Sequence, residues 1–183
     1  MRQVGTESCK TYEDKLKSGF FTKYMNGKGC EIGYAGYGSG AETILEGCDG
    51  YDKNTPGYNG HDIPVPDGHY DYLYASHTLE HISNPGAAVL EWHRVVRKGG
   101  YLVIVVPHRD LYEKKLKPPS RWNPDHKRFY TPGSLLIEVE AALPINTYRV
   151  EHLKDNDKGH VYTDGPDVHA CWEYEIELVL RKL

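Results

Sequence analysis

The sequence lacks several features that would assign it to a common class of protein. Its four cysteines, Cys9, Cys30, Cys48 and Cys171, form no C-x-x-C pair, which excludes a zinc ribbon and a thioredoxin-type motif. No apolar stretch approaches the ~20 residues needed to cross a membrane, and the polar start Met-Arg-Gln-Val lacks the apolar core of a signal peptide. We therefore expect a cytoplasmic protein with reduced thiols and no membrane insertion.

Dense basic runs are also missing. Lys and Arg number 22 against 26 Asp and Glu, which gives a net charge of −4, whereas binding to nucleic acid needs a strongly basic surface. The small cluster Lys114, Lys115 and Lys117 is most simply solvated loop charge. Nucleic acid is therefore not expected as a partner.

The chain of 183 residues has the length of one domain. Residues 1–25 are predicted to form an N-terminal helical segment, in which Tyr12, Leu16 and Phe20 make one apolar stripe at helical spacing. Residues 107–131 form an insertion rich in proline, aromatic and charged residues. We treat residues 1–183 as a single domain that carries these two additions.

The pattern of apolar runs and turn residues from residue 29 onward predicts an α/β protein. Strands are expected near 29–33 and 48–52, at Tyr70–Ser76 and at Tyr101–Val106. Residues 41–46 leave room for a helix of a turn or two at most. One helix is expected from Asn84-Pro85 to the glycines of Lys98-Gly99-Gly100, and a second from Thr131-Pro132. The buried strands are expected to be parallel.

The last strand shows a different pattern. Trp172, Tyr174, Ile176, Leu178 and Leu180 alternate with Glu173, Glu175 and Glu177. This alternation predicts a half-exposed, antiparallel strand, with the segment of Tyr148, Val150 and His152 as its partner.

A glycine-rich turn lies between two carboxylates at the start of this sheet. Glu31-Ile32-Gly33 precedes Gly36, Gly38 and Gly40, and Asp52 follows Glu31 by 21 residues. Adjacent strands that bind a nucleoside cofactor supply such groups about 20 residues apart. The glycines do not follow the G-x-G-x-x-G register, so the turn alone is not specific.

The order of motifs from residue 30 to residue 106 resembles the class I S-adenosylmethionine-dependent methyltransferases, in particular the methyltransferase type 11 family. The residues that carry this resemblance are Glu31-Ile32-Gly33, Gly50-Tyr51-Asp52, the segment 63–68 (IPVPDG), Tyr70-Asp71, the segment 76–82 (SHTLEHI) and the segment 94–102 (RVVRKGGYL). The resemblance implies a Rossmann-like, mostly parallel sheet with a C-terminal antiparallel pair. The short early helices make it a compact variant.

The resemblance also implies roles for individual residues in binding S-adenosylmethionine. The methionine part would lie against the glycine turn, the ribose hydroxyls against Asp52 and the adenine near Asp62 and Ile63. Ser76 and His77 match residues that follow the family's fourth strand, which corresponds to Tyr70–Ser76 here, and they would close over the cofactor. His81 would lie at or under the pocket. The turn residues are Glu31, Gly33, Gly36 and Gly38, although Ala35 and Tyr37 stand where relatives have glycine.

Methyl transfer to a hydroxyl would need a general base, and histidine suits that role near neutral pH. His108 follows the predicted central strand, and Asp125-His126 lies in the aromatic and charged insertion that would cover the acceptor. The resemblance implies a small molecule or a sugar precursor as the acceptor. A non-catalytic relative that binds the cofactor or a partner remains the alternative, and a homodimer is compatible with either interpretation.

One motif suggests a metal instead. Residues 77–81 match H-x-x-E-H, which places two zinc ligands beside a glutamate in some peptidases. A strand directly before it, Pro85 soon after it and the lack of an obvious third ligand argue against a peptidase. The four aspartates at 155, 157, 164 and 167 lack the glutamate that closes a calcium loop. No metal is therefore expected.

Overall fold

The computed structural model describes residues 3–34, 40–56, 58 and 62–183. Within these residues, six strands form one mixed sheet in the order β2-β1-β3-β4-β6-β5. The strands are β1 (Gly29–Ile32), β2 (Asp49–Tyr51), β3 (Tyr70–Ser76), β4 (Val96–Pro107), β5 (Tyr148–Asn156) and β6 (Glu175–Lys182). β1 to β4 are parallel, and β6 runs antiparallel to both β4 and β5. The predicted sheet and its C-terminal antiparallel pair are confirmed.

In the described part of the chain, four α-helices accompany the sheet: α1 (Cys9–Lys17), α2 (Phe20–Tyr24), α3 (Pro85–Val95) and α4 (Pro132–Ala142). The predicted starts of α3 and α4 are confirmed. The Asn84 side chain accepts a hydrogen bond from the Ala87 backbone N–H at 3.2 Å, and Thr131 and Ser134 form a reciprocal capping box. These caps satisfy N–H groups that a helix N-terminus otherwise leaves unpaired. No described helix has the length and apolar content of a membrane span.

Helices cover the sheet on both faces. On one face, α3 and α4 pack Trp92, Val89, Leu135 and Val139 against an apolar layer of the sheet. That layer includes Ile32, Leu73, Ala75, Leu102, Ile104, Ile176, Leu178 and Leu180. On the other face, Phe20, Phe21, Tyr24 and Ile44 pack against Tyr72, Tyr74, Val103, Val105 and Val179. The sheet is therefore the middle of three layers.

The N-terminal prediction of one helix with a Tyr12, Leu16 and Phe20 stripe is wrong. Gly19 adopts φ +75° and separates α1 from α2, a left-handed conformation that glycine takes at little cost. Leu16 is 52% exposed, whereas Lys15 is buried. The buried side of α1 is therefore its polar side.

Two further boundaries differ from the prediction. α3 ends at Val95, and β4 begins at once with Val96, so Lys98-Gly99-Gly100 lies inside β4 instead of ending the helix. The register between β3 and β4 shifts there, between Tyr70 and Tyr72. Residues 41–46 contain no helix, which fits the expectation of very short early helices.

The expectation of a half-exposed last strand is also wrong. Glu175 and Glu177, which the alternation placed toward solvent, are 2% and 4% exposed. α1 covers them, and the Lys15 ammonium lies 3.0 Å from a carboxylate oxygen of each. Both sides of β6 are therefore buried, one apolar and one charged.

Candidate functional site

The carboxyl ends of β1, β2 and β3 bring five of the predicted cofactor residues, Glu31, Gly33, Asp52, Ser76 and His77, to one edge of the sheet. Gly33 follows β1 with φ +80°, and its N–H donates to the Tyr51 carbonyl at 2.6 Å. A Cβ at this position would overlap the Thr78 side chain. The turn after β1 therefore requires glycine, both for its backbone conformation and for the close approach of Thr78.

Glu31 and the glycines are the residues predicted to contact the methionine part of the cofactor. Glu31 is buried, and its Oε2 accepts a hydrogen bond from the Ile44 N–H at 2.5 Å. This bond fixes the chain where it returns from the glycine turn. Gly36 and Gly38 lie outside the described residues.

Asp52 directly follows β2 and is 7% exposed. Its Oδ1 accepts from the Asn54 N–H at 2.6 Å. Within the described part of the chain, its Oδ2 makes no hydrogen bond. One oxygen of an oriented carboxylate thus remains for a ligand. It can accept hydrogen bonds from hydroxyl groups such as those of a ribose diol. Asp52 fits the predicted ribose contact.

The predicted adenine contact has a different environment. The Ile63 side chain is buried in the core, its N–H donates to Glu91 Oε1 at 2.8 Å, and its carbonyl accepts from Arg94 at 3.0 Å. Asp62 is exposed. The polar groups of the Ile63 backbone are therefore already paired, and Asp62 is the other residue predicted to contact adenine.

His77 occupies the turn after β3. Its φ of +49° is rare for a residue with a side chain, and a bond of 3.0 Å between Nε2 and Glu175 Oε1 holds the ring in place. Burial opposes protonation of the ring, but the hydrogen bond and charge of Glu175 outweigh it and raise the pKa of His77. Next to it, Ser76 is buried, and its Oγ has no hydrogen-bond partner among the described residues.

Glu80 lies at the centre of a histidine cluster. It is fully buried, and its Oε1 is 3.8 Å from His77 Nδ1, 3.7 Å from His81 Nε2 and 3.9 Å from His126 Nε2. Burial raises the pKa of Glu80. Burial and the neighbouring His126 lower the pKa of His81 to about 4, so His81 is neutral at pH 7.

The 107–131 segment reaches this cluster through a set of backbone contacts. The Lys127 N–H donates to the Glu80 carbonyl at 2.9 Å, and Arg128 donates to the carbonyls of Leu79, Ile82 and Ser83. These bonds fix the segment against the short 3-10 helix Leu79–His81. His81 and His126 consequently meet with ring centroids 4.7 Å apart.

A second carboxylate orients His126. The π-helix Arg109–Glu113 carries Glu113, whose Oε1 lies 2.5 Å from His126 Nδ1. Both side chains are buried. When Nδ1–H donates to Glu113, the lone pair of Nε2 points toward Glu80 and His81. Asp125, in contrast, has an exposed side chain, and it acts on the His81 ring through a backbone hydrogen bond and through its charge.

His108 belongs to a separate group of contacts. Its Nδ1 accepts from the Asp110 N–H at 3.0 Å, and its Nε2 lies 3.4 Å from Asp155 Oδ2. In a neutral ring with this pairing, the proton is on Nε2 and the Nδ1 lone pair is engaged. This pairing is unfavourable for a general base.

Sequence reasoning did not assign a role to Glu80, Glu113 or Glu175. Glu80 was visible only as part of the H-x-x-E-H motif. Nothing in the sequence pairs Glu113 with His126, because the contact depends on how the 107–131 segment folds back. Glu175 belonged to a pattern that indicated exposure, so its contact with His77 was hidden.

Known proteins resemble this chain in sequence over part of its length. Residues 53–104 match the family model described as a methyltransferase domain. Ajmaline N-methyltransferase of Rauvolfia serpentina is 28% identical over 103 residues, which cover 52% of this chain and 35% of that protein. The matched chain thus spans about a third of the length of this curated relative.

Solved structures resemble the chain over nearly its whole length. A possible histamine N-methyltransferase of Thermotoga maritima, described as S-adenosylmethionine-dependent, superposes with a TM-score of 0.58 at 18% identity and covers 94% of this chain and 89% of that one. The [4+2]-cyclase SpnF gives a TM-score of 0.58 at 15% identity and covers 92% and 81%.

The architecture is therefore that of the class I methyltransferases, a three-layer α/β fold with an antiparallel C-terminal strand pair. The fold is shared with solved S-adenosylmethionine-dependent methyltransferases, and residues 53–104 match a methyltransferase domain. The resemblance predicted from the sequence is confirmed.

Proposed function

We propose that this protein binds S-adenosylmethionine at the carboxyl edge of β1 and β2 and transfers its methyl group to a small molecule or a sugar precursor. The observation that carries the proposal is Asp52, a buried carboxylate at the end of β2 with Oδ2 left for a ligand. In a class I methyltransferase fold, this is the edge at which a ligand is expected. The similarity to ajmaline N-methyltransferase and to a possible histamine N-methyltransferase supports methyl transfer as the reaction.

The roles of this chain's own residues follow from their positions. Asp52 would accept hydrogen bonds from the ribose hydroxyls, while Glu31 and Gly33 shape the turn beside the methionine part. The bound cofactor supplies an activated methyl group with its own leaving group. The protein mainly has to align an acceptor with that methyl.

The histidine cluster around Glu80 would define the acceptor end of the site. His81 and His126 lie at the same carboxyl edge as His77, and Arg128 fixes the segment that carries His126. Of the residues predicted to be a general base, His126 has the more suitable pairing, because Glu113 can hold its proton on Nδ1 and leave Nε2 free. Asp125, exposed beside it, would contribute only charge.

Calorimetric titration with S-adenosylmethionine and its demethylated product tests the proposal. Asp52→Asn removes one charge-assisted hydrogen bond, worth about 1.5–3 kcal/mol, so the dissociation constant should rise roughly 10- to 100-fold. Asp49→Asn is the matched control, because Asp49 lies on the same strand and accepts from Tyr70 OH at 2.9 Å instead. Unchanged affinity in Asp52→Asn, or no binding by the wild type, would contradict the proposal.

A second function stays open because the same fold occurs in the [4+2]-cyclase SpnF. A cofactor-binding protein that does not transfer methyl groups would still bind the cofactor at Asp52. Transfer of a labelled methyl group to any member of an alkaloid, amine and sugar-nucleotide panel would reject this alternative. A cytoplasmic location and a homodimer remain predictions from the sequence.

A further inference from the structure

Glu80 is a buried carboxylate without hydrogen bonds. Its side chain is fully buried, and neither Oε1 nor Oε2 has a hydrogen-bond partner among the described residues. Burial of a charged or polar group without a partner costs several kcal/mol, and buried carboxylates are normally hydrogen-bonded, paired with a cation or bound to a metal. The three histidine nitrogens near Oε1 are 3.7–3.9 Å away, too far for hydrogen bonds. The protein atoms described therefore leave this group unsatisfied.

The spacing of the nearest groups is that of metal ligands. Glu80, His81 and His126 each offer one ligand atom, and these three atoms lie within 4.8 Å of one another. Ligands bound to one zinc ion at about 2.0–2.2 Å in a tetrahedral site lie about 3.4 Å apart. The distances from Oε1 to the two nitrogens are 3.7 Å and 3.9 Å. A shift of a few tenths of an ångström would bring Oε1 and either nitrogen to the separation of zinc ligands.

The surroundings have the contacts that usually support a metal ligand. Ligating histidines generally donate their second N–H to a carboxylate or carbonyl, which fixes the ring and the position of the proton. His126 Nδ1 has this contact with buried Glu113 at 2.5 Å. The Lys127 N–H and Arg128 fix the backbone on both sides of the contact between Glu80 and His126.

We propose that Glu80, His81 and His126 bind one divalent transition-metal ion of the zinc type. The site differs from the peptidase arrangement that the H-x-x-E-H motif suggested, because His77 turns to Glu175 and the glutamate itself becomes a ligand. The missing third ligand is His126, 45 residues further along the chain. Two imidazoles and one carboxylate suit zinc and neighbouring first-row ions better than magnesium or calcium.

Three protein ligands leave at least one coordination position open, as in catalytic zinc sites. An acceptor hydroxyl in that position would have its pKa lowered by the ion. The ion would then replace His126 as the group that activates the acceptor. This role rests on the proposed methyl transfer, whereas binding of the ion does not.

The experiment measures binding of zinc alone, without cofactor, by untagged protein that carries Cys9→Ser and Cys171→Ser. These changes remove the two exposed thiols, which would bind zinc adventitiously. Calorimetry should show one zinc ion per chain, and cobalt in its place should give a visible absorption band of a low-symmetry site. Glu80→Gln and His81→Asn should weaken zinc binding more than about 100-fold, and Glu113→Gln about 10- to 100-fold.

His160→Asn is the matched control, because the ring of His160 packs edge-to-face against Tyr162 outside the cluster. It should bind zinc like the parent protein. Circular dichroism establishes that each variant is folded, and Glu80→Gln should fold well because the replaced oxygens have no hydrogen bonds to lose. Absence of stoichiometric zinc binding, or equal binding by Glu80→Gln and His81→Asn, would overturn the proposal. Cofactor affinity is measured separately. Zinc binding without cofactor binding would contradict the methyl-transfer proposal alone, and cofactor binding without zinc binding would contradict the metal proposal alone.

Discussion

The two faces of the sheet are buried by different means. Under α3 and α4, the interior consists of aliphatic side chains and Trp92. Under α1, the interior contains the ammonium of Lys15 and the carboxylates of Glu175 and Glu177, together with tyrosines. Both faces exclude water and both reach the candidate site, the apolar face through Ile63 and Leu79 and the charged face through Glu175, which binds His77. The charged face therefore connects buried charges with the site, whereas the apolar face connects it with hydrophobic packing.

Because the two faces are buried by different means, mutations on each face should lower the free energy of unfolding for different reasons. On the apolar face, truncation removes contacts in proportion to the lost volume. On the charged face, removal of one group leaves the others buried without compensation. We therefore expect mutations on the two faces to differ in their effects on the free energy of unfolding.

Lys15→Met should have the largest effect. Loss of the ammonium leaves two like-charged carboxylates buried next to each other, and breaking such a pair costs about 3–5 kcal/mol. Urea unfolding at pH 7 measures the free energy of unfolding. Adding Glu177→Gln to this variant should recover part of the loss, because it removes one of the uncompensated charges. A loss below about 1 kcal/mol would mean that water reaches the two glutamates.

The charged face should also make stability depend on acid. Burial alone would raise the pKa of Glu175, but the charge of Lys15 and the hydrogen bond from His77 overcome it and hold the pKa at about 2. The same lysine also lowers the pKa of Glu177 against the effect of burial. Because the folded pKa lies below that of the unfolded chain, the stabilisation is present above about pH 4.5 and is lost as the pH falls toward 2. For Glu175 it is on the order of 3 kcal/mol.

Unfolding measured between pH 7 and pH 2 checks this dependence, with Ile176→Val as the matched control. Ile176 lies between the two glutamates on the same strand but faces the apolar layer. Its truncation should cost about 1 kcal/mol at every pH and so shift the curve in parallel. Lys15→Met should instead flatten the curve. Parallel behaviour of both variants would show that the acid response arises elsewhere.

Much of the fold was predictable, because the signals that define it are local. The apolar runs of β3 and β4, the cap at Asn84 and the capping residue Thr131 determine their elements with little help from distant residues. Asp52 was predictable for the same reason, as the residue that ends β2. The charged face was not, because alternation of Ile176 with Glu175 and Glu177 is what a half-exposed strand also shows. Only the lysine on α1, 160 residues away, makes those carboxylates interior.

The cluster around Glu80 depends on long-range contacts even more than the charged face under α1 does. His81 and Glu80 are adjacent in sequence, but Glu113 and His126 reach them through a segment held mainly by backbone carbonyls of residues 79–83. Carbonyls carry no sequence signal, since every residue has one. The aromatic and charged composition of residues 107–131 indicated a functional segment without indicating which of its histidines would be enclosed.

Leu16→Ala should have the smallest effect and tests which side of α1 faces the sheet. The apolar stripe expected from the sequence would make Leu16 a core residue, whose truncation costs about 2–5 kcal/mol. In the structure, Leu16 is 52% exposed and Lys15 takes the interior position, so the loss should stay within about 0.5 kcal/mol. Urea unfolding at pH 7 distinguishes the two values. A loss of 2 kcal/mol or more would mean that α1 is rotated by about one residue from the orientation described. Lys15 would then lie near solvent, and the interior under α1 would not contain a buried ion pair.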